Sequence, residues 1–66
     1  MKIKLNGQGT EITNGLTLLG IIEEKGLLPE RIVVEHNQEI VSCEKLGEIC
    51  VKESDSIEIV SFVGGG

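Results

Sequence analysis

Two cysteines and one histidine are the side chains of this sequence that would most readily act together as nucleophile, base or metal ligand. Cys43 and Cys50 are separated by six residues, and His36 is the single histidine. A zinc site uses short paired spacings and about four ligands, so these three residues do not make one. We expect two unpaired thiols, with Cys50 in the core and Cys43 exposed; a sulfur relay through them is the alternative.

His36 lies at the end of a predicted strand and directly before a turn. A catalytic histidine needs a nucleophile or a carboxylate within hydrogen-bonding reach, and the sequence places no such partner beside it. We therefore expect a histidine at the surface or at a strand end, without a catalytic role.

The last three residues, Gly64, Gly65 and Gly66, directly follow the most apolar strand of the chain. Glycine has no Cβ, so a Gly-Gly segment is narrow and adopts backbone angles closed to other residues. It can enter a tunnel that excludes side chains, and its terminal carboxylate reacts only after activation by another enzyme. The alternative is a frayed end or a cloning remnant.

Length and charge restrict the function further. The chain has 66 residues and a net charge of −5, and ten of its eleven acidic residues fall between residues 23 and 58. A domain this small buries only about 60% of its unfolded surface, which favours a carrier, modifier, inhibitor or binding module over a self-sufficient enzyme. Its acidity argues against nucleic-acid binding and suggests at most an electrostatic match to a basic partner.

No targeting or membrane segment is evident. No apolar run approaches the roughly 20 residues of a membrane span. The first residues alternate between polar and apolar types, whereas a signal peptide has a continuous apolar segment. We predict a cytoplasmic protein that does not contact membranes.

The elements that must position these residues follow from periodicity. Alternation predicts a strand over residues 1–6, a turn at Asn6-Gly7 and a second strand over 10–13. Thr17 is a plausible N-cap for a helix that ends near Gly26. Further strands are predicted over 31–36, 39–41 and 57–63, with a helical turn over 44–47.

This order, β-β-α-β-β-β, predicts an α+β fold in which about four to five strands form a mixed sheet on one helix. The last strand is the most apolar, so we place it centrally, beside the first. We expect one β-grasp domain over residues 1–63 and a flexible glycine tail over 64–66.

The chain resembles the ThiS family, whose members have the ubiquitin-like β-grasp fold. The similar segments are MKIKLNG at the start, Leu-Thr-Leu-Leu at residues 16–19, VVEHNQEIV at 33–41, and DSIEIVSFVGGG at 55–66. The resemblance covers essentially the whole chain, and Gly65 and Gly66 match the family's Gly-Gly motif.

The resemblance implies a sulfur carrier of thiamine biosynthesis that is not itself an enzyme. An adenylating enzyme of the ThiF type would activate the Gly66 carboxylate with ATP and magnesium, and sulfur from a cysteine desulfurase would then give a thiocarboxylate. A thiazole synthase of the ThiG type would accept that sulfur. The chain itself would bind no cofactor or metal, and Gly64, Gly65 and Gly66 would enter the partner sites.

Alternation along the last strand predicts a docking surface. If Ile57 and Ile59 face the helix, Val60 and Phe62 face outward next to the tail. We expect Val60, Phe62 and Val63 to contact the adenylating enzyme and the synthase. The alternative is that twist or a bulge turns Phe62 into the core.

Other functions fit parts of the pattern. The small subunit of molybdopterin synthase is also a β-grasp carrier with a Gly-Gly end, although it often has prolines before the tail, where this chain has Val-Ser-Phe-Val. A protein-conjugating modifier and a plain β-grasp interaction domain are the remaining alternatives.

Overall fold

Two hairpins with the same kind of turn supply four of the strands. The computed structural model describes residues 1–61, and in it β1 (Lys2–Leu5) pairs antiparallel with β2 (Gln8–Glu11). Asn6 and Gly7 join them with φ values of 50° and 84°. A two-residue hairpin turn of type I′ has positive φ at both positions, which asparagine and glycine tolerate. Because the turn is this short, β2 begins at Gln8, earlier than the predicted residue 10.

The second hairpin joins β3 (Ile32–His36) to β4 (Glu39–Val41). Asn37 and Gln38 form its turn, with φ values of 51° and 75°. The predicted strand over 39–41 is confirmed, and β3 begins one residue after the predicted position because Pro29–Arg31 form a turn of 3-10 helix.

The last strand of the described chain, β5 (Ser56–Ser61), lies between the two hairpins. The strand order is β2-β1-β5-β3-β4, with β5 parallel to β1 and antiparallel to β3. The prediction that the last strand is central and adjacent to the first is confirmed. This position explains its apolar sequence, since a central strand packs against neighbours on both edges.

One helix covers the inner face of this sheet. Helix α1 (Leu18–Glu24) is capped by the predicted Thr17, whose hydroxyl accepts a hydrogen bond of 3.1 Å from the Gly20 amide. Gly26 follows the helix with a φ of 72°, a left-handed conformation in which glycine is favoured. A seven-residue helix is not stable alone, so its packing on the sheet sustains it.

The core lies between α1 and the sheet. Its members are apolar side chains that are at most 7% exposed; they are Ile3, Leu5, Leu18, Ile21, Ile22, Val34, Leu46, Val51 and Ile57. Leu46 comes from the 3-10 helix Cys43–Glu48, which packs against α1 where one helical turn was predicted. The sheet of five strands on one helix confirms the predicted α+β, β-grasp architecture.

The predicted boundary between residue 63 and a tail lies outside the described residues. The same holds for the predicted functional residues Phe62, Val63, Gly64, Gly65 and Gly66.

Candidate functional site

The outer face of the sheet carries exposed apolar side chains near the end of β5. Leu5 and Ile57 form an inward-facing pair across β1 and β5, so alternation turns Glu58 and Val60 outward. Val60 is 57% exposed and lies directly opposite Val33 of β3. The predicted outward orientation of Val60 is therefore confirmed.

This apolar surface extends further across the sheet than the sequence predicted. Ile40 on the edge strand β4 is 72% exposed. Its cross-strand partner is Glu35, which shares the outer face with Val33. Because Val33 and Ile40 come from the other hairpin, only the order of the strands brings them near Val60.

Two carboxylates face each other within the same surface. Glu35 of β3 is directly opposite Glu58 of β5. Like charges in directly opposed positions destabilise a sheet. Among residues 1–61 neither glutamate lies within ion-pair distance of a cationic group.

A histidine and an aspartate form a polar cluster at the opposite end of β5 from the tail. His36 Nε2 lies 2.7 Å from Asp55 Oδ2, and the same carboxylate accepts hydrogen bonds from the Lys52 amide at 2.9 Å and from Asn37 Nδ2 at 3.2 Å. An ionised carboxylate only accepts hydrogen bonds, so His36 Nε2 carries the proton. The sequence predicted the strand-end position of His36 but not this partner.

The environment of Asp55 changes its acidity. Burial raises the pKa of its carboxyl, since low polarity disfavours the charged form. The hydrogen bonds from His36, the Lys52 amide and Asn37, with the charge of His36, outweigh burial and hold the pKa below its ordinary value. With three hydrogen bonds to protein groups, this carboxylate links the end of β3 to the start of β5.

The cysteines do not form a site with His36. Cys43 and Cys50 are both free and exposed, which confirms the prediction for Cys43. The prediction that Cys50 is a core residue is wrong. Its segment is extended and forms a bridge to Thr17, so Ile49 and Val51 face the interior and the residue between them faces out.

Two further findings concern the part of the chain from Met1 to Ser61. It contains no group of three histidine, cysteine, aspartate or glutamate side chains that could hold a metal ion. None of its helices has the length and apolar character needed to cross a membrane.

Comparisons with known proteins agree with this architecture. The sequence model of the ThiS family matches residues 3–66. The sulfur carrier protein ThiS of Bacillus subtilis is 34% identical over 65 residues, which cover 97% of this chain and 98% of that protein. The crystal structure of the thiamine biosynthesis protein (ThiS) from Geobacter metallireducens has a TM-score of 0.84 at 26% identity, with 100% of both chains covered.

A larger relative contains a region similar to the whole chain. A thiazole synthase of Magnetococcus marinus is 42% identical over 66 residues, which cover 100% of this chain and 20% of that protein. The chain thus spans about a fifth of the length of the first curated relatives that it matches. These findings decide between the two β-grasp carriers that the sequence left open, in favour of thiamine biosynthesis proteins. From its sequence and its fold, the chain belongs to the ThiS family.

Proposed function

We propose that this chain is a sulfur carrier protein of thiamine biosynthesis whose reactive group is the carboxylate of Gly66. The observation that carries the proposal is the ThiS family match over residues 3–66, which includes the Gly65-Gly66 motif. The chain acts as a protein co-substrate, and the catalytic groups belong to the enzymes that bind it.

The chemistry of the tail determines what those enzymes must do. A carboxylate is a poor electrophile, so an adenylating enzyme of the ThiF type joins it to AMP and releases pyrophosphate from ATP. The outer sulfur of a persulfide formed by a cysteine desulfurase then attacks the acyl adenylate and displaces AMP, and a thiol cleaves the resulting acyl disulfide, which leaves a thiocarboxylate on Gly66 and a disulfide on the donor. ATP and magnesium act in the enzyme, and the chain itself binds no cofactor.

The acceptor of the sulfur is a thiazole synthase of the ThiG type. The Magnetococcus marinus relative supports this partner, because a protein named thiazole synthase contains a region similar to the entire chain. Gly64, Gly65 and Gly66 enter the active sites of both enzymes, where the absence of side chains allows a narrow channel.

The docking surface for these enzymes consists of Val60, Phe62 and Val63, extended by Val33. The exposed position of Val60 opposite Val33 supports this assignment, since exposed apolar clusters commonly mark interaction sites. The carboxylates of Glu35 and Glu58 border the surface and favour a partner with basic side chains there.

We place the protein in the cytoplasm. The two exposed free thiols, Cys43 and Cys50, support this location, because a reducing compartment keeps such thiols unpaired.

Intact-mass analysis tests the proposal. The 66-residue chain is incubated with its cognate adenylating enzyme, ATP and a sulfur donor. We expect a mass increase equal to the exchange of one oxygen for sulfur, located at Gly66 by fragmentation. An unchanged mass, under conditions in which the enzyme is shown to be active, contradicts the proposal.

A truncated chain provides the control. Deletion of Gly65 and Gly66 should abolish the mass change and leave the melting temperature unchanged, because it removes no side chain and the buried apolar core of residues 1–61 lies within residues 3–57. A large loss of stability in this variant would show that the tail is structural.

A further inference from the structure

The strand β5 is paired on both sides only along its first part. On one side, β3 accompanies it as far as the pair Ile32 and Ser61. On the other side, the last strand pair with β1 is Leu5 and Ile57, because the chain then turns away at Asn6-Gly7. Among the described residues 1–61, the segment 59–61 therefore has a strand neighbour on one side only.

The side chain of Asn6 extends the pairing by one position. The Asn6 amide donates a hydrogen bond of 2.9 Å to the Ile57 carbonyl, as a strand residue would. Its side-chain Oδ1 then accepts a hydrogen bond of 2.8 Å from the Ile59 amide. The carboxamide thus takes the place of the next backbone carbonyl of β1, and the pairing stops there.

The next two backbone groups on this side have no partner within residues 1–61. Backbone groups on one edge of a strand come from every second residue, and the Asp55 and Ile57 carbonyls bond toward β1. The Ile59 carbonyl and the Ser61 amide therefore point the same way. Neither takes part in a hydrogen bond with another residue between Met1 and Ser61, and Ser61 is exposed.

A groove lies beside these two groups. It has a volume of about 270 Å³, and its lining includes apolar Leu5, Leu27 and Ile59 and polar Gln8, Lys25 and Ser61. An unpaired strand edge accepts a further strand, and a pocket beside the edge accepts alternate side chains of that strand. Edge and groove together fit a short extended segment with an apolar side chain directed at Ile59 and Leu27.

The occupant is a segment of another protein rather than a second copy of this chain. Pairing of two copies along this edge would bring together two domains that each carry a net charge of −5. The edge also leads directly to residue 62 and onward to the glycines. An enzyme that receives the tail therefore passes this edge when it binds. Of the two enzymes proposed to do so, the thiazole synthase is the one that the comparisons support, because a protein of that name contains a region similar to the whole chain.

We propose that the uncovered end of β5, from Ile59 to Ser61, binds an extended segment of the tail-receiving thiazole synthase, which adds to the sheet beyond Asn6. The inference rests on the proposed function insofar as that enzyme receives the tail. The backbone hydrogen bonds of the added strand fix the direction in which the chain leaves the domain. This contact is separate from the apolar docking surface.

Amide hydrogen exchange tests the proposal residue by residue. The ¹⁵N-labelled chain is measured alone and in a complex with the cognate thiazole synthase, with formation of the complex verified by co-elution. We expect the Ser61 amide to exchange freely in the isolated chain and at least about tenfold more slowly in the complex. The Val60 amide is the internal control, because its backbone groups face β3 and should be protected in both states.

Two results overturn the proposal. One is unchanged exchange at Ser61 in a complex that has formed, and the other is protection at Ser61 that rises with the concentration of the isolated chain, which would identify a second copy as the occupant. Neither result affects the proposed function, which is tested separately by thiocarboxylate formation at Gly66.

A backbone substitution provides a second test. Replacing the Ser61 amide by an ester through semisynthesis removes one N–H donor and keeps the side chain. We expect a loss of synthase affinity of about three- to tenfold, the effect of one hydrogen bond, measured at a temperature at which both chains are folded. Ser61→Ala keeps the amide and removes the hydroxyl, so it measures the contribution of the side chain, and its affinity should fall less than that of the ester. Equal affinity of the ester and the unmodified chain contradicts the proposal.

Discussion

Asp55 is the most constrained polar residue of the described chain. It is 9% exposed, yet its carboxylate accepts hydrogen bonds from three donors. Two of them are His36, the last residue of β3, and Asn37, in the turn that follows. Asn37 also accepts a hydrogen bond of 2.9 Å from the Ser56 amide. These bonds hold the start of β5 against β3, and they explain why a buried carboxylate is tolerated here.

The pKa of Asp55 predicts how stability depends on pH. Because the folded-state pKa lies below the ordinary value of about 3.9, ionised Asp55 stabilises the fold above that value, and this stabilisation is lost as pH falls through the folded-state pKa. We expect the free energy of unfolding to decrease from about pH 4 downward. Denaturant unfolding between pH 7 and pH 2 measures it.

Asp55→Asn separates this effect from general acid sensitivity. At pH 7 the free energy of unfolding of the variant should be about 1–3 kcal/mol lower, because the NH2 group of asparagine would face a hydrogen-bond donor where the carboxylate had an acceptor. Its stability should then fall less with acid than that of the unsubstituted chain. Glu44→Gln, at an exposed position, is the control and should keep the original pH dependence. Parallel curves for the unsubstituted chain and Asp55→Asn would contradict the assignment.

For single residues, the sequence predicted where a residue lies within an element better than which residues it contacts. Thr17 is the N-cap and Cys43 is exposed, as local pattern indicated. The partner of His36 is 19 positions away, so identifying it required the antiparallel pairing of β3 with β5. Cys50 was misjudged because its apolar neighbours suggested burial of the whole segment, whereas an extended backbone alternates.

At the scale of single strands, the paired Glu35 and Glu58 predict a stabilising substitution. Their direct opposition costs about 0.2–1 kcal/mol through like-charge repulsion. Glu58→Gln should therefore raise the free energy of unfolding by a few tenths of a kcal/mol, with a smaller effect at high salt. Chemical denaturation at two ionic strengths measures this, and Glu48→Gln is the exposed control. A loss of stability in Glu58→Gln would rule out repulsion as the dominant effect.

Substitutions on the outer face of β5 should change partner binding more than they change stability. Val60→Ala and Phe62→Ala should each weaken binding to the adenylating enzyme, and Val60→Ala should leave the melting temperature nearly unchanged because Val60 is 57% exposed. Val34→Ala, at a position that is 1% exposed, is the matched control and should lower stability without a direct effect on binding. Unfolding of Phe62→Ala would show that its side chain belongs to the core.

The sequence predicted which segments are strands or helix more reliably than it predicted the pairing register of the strands. The alternation of β1 and the β-branched β3 and β5 gave the correct elements, whereas β2 was placed two residues late. Its own residues, Gln-Gly-Thr-Glu, contain no apolar alternation that could fix the register. The two-residue turn at Asn6-Gly7, which was predicted at that position, sets the register and starts β2 directly after it.

On the scale of the whole molecule, a single helix supplies one side of the core. Ile22 is completely buried between α1 and the sheet. A domain of this length has a total stability of about 3–10 kcal/mol, and an isoleucine-to-alanine change in a core costs about 2–5 kcal/mol. Ile22→Ala should therefore unfold a measurable fraction of the protein at 25 °C.

Circular dichroism and thermal melting check this expectation. Leu28→Ala is the control, because Leu28 is 54% exposed and its truncation should change the melting temperature little. Equal melting temperatures for the two variants would show that the helix contributes less to the core than its burial indicates.

The overall topology followed from two sequence features, the order of elements and the apolar character of the last strand. Together they placed β5 beside β1, which the structure confirms. The extent of the outer apolar face did not follow, because Val33 and Ile40 reach it only through the lateral order of the strands.

The central position of β5 has a consequence for synthesis of the protein. The two hairpins and the helix leave the ribosome first, but they have no shared sheet until residues 56–61 arrive to join β1 to β3. Pairing of the first strand with the last requires closing a loop of about 50 residues, the slow, non-local step of such a fold. Folding is therefore completed only when β5, the segment shortly before the glycines, has been made, so the finished domain and the glycine segment become available at nearly the same point of synthesis.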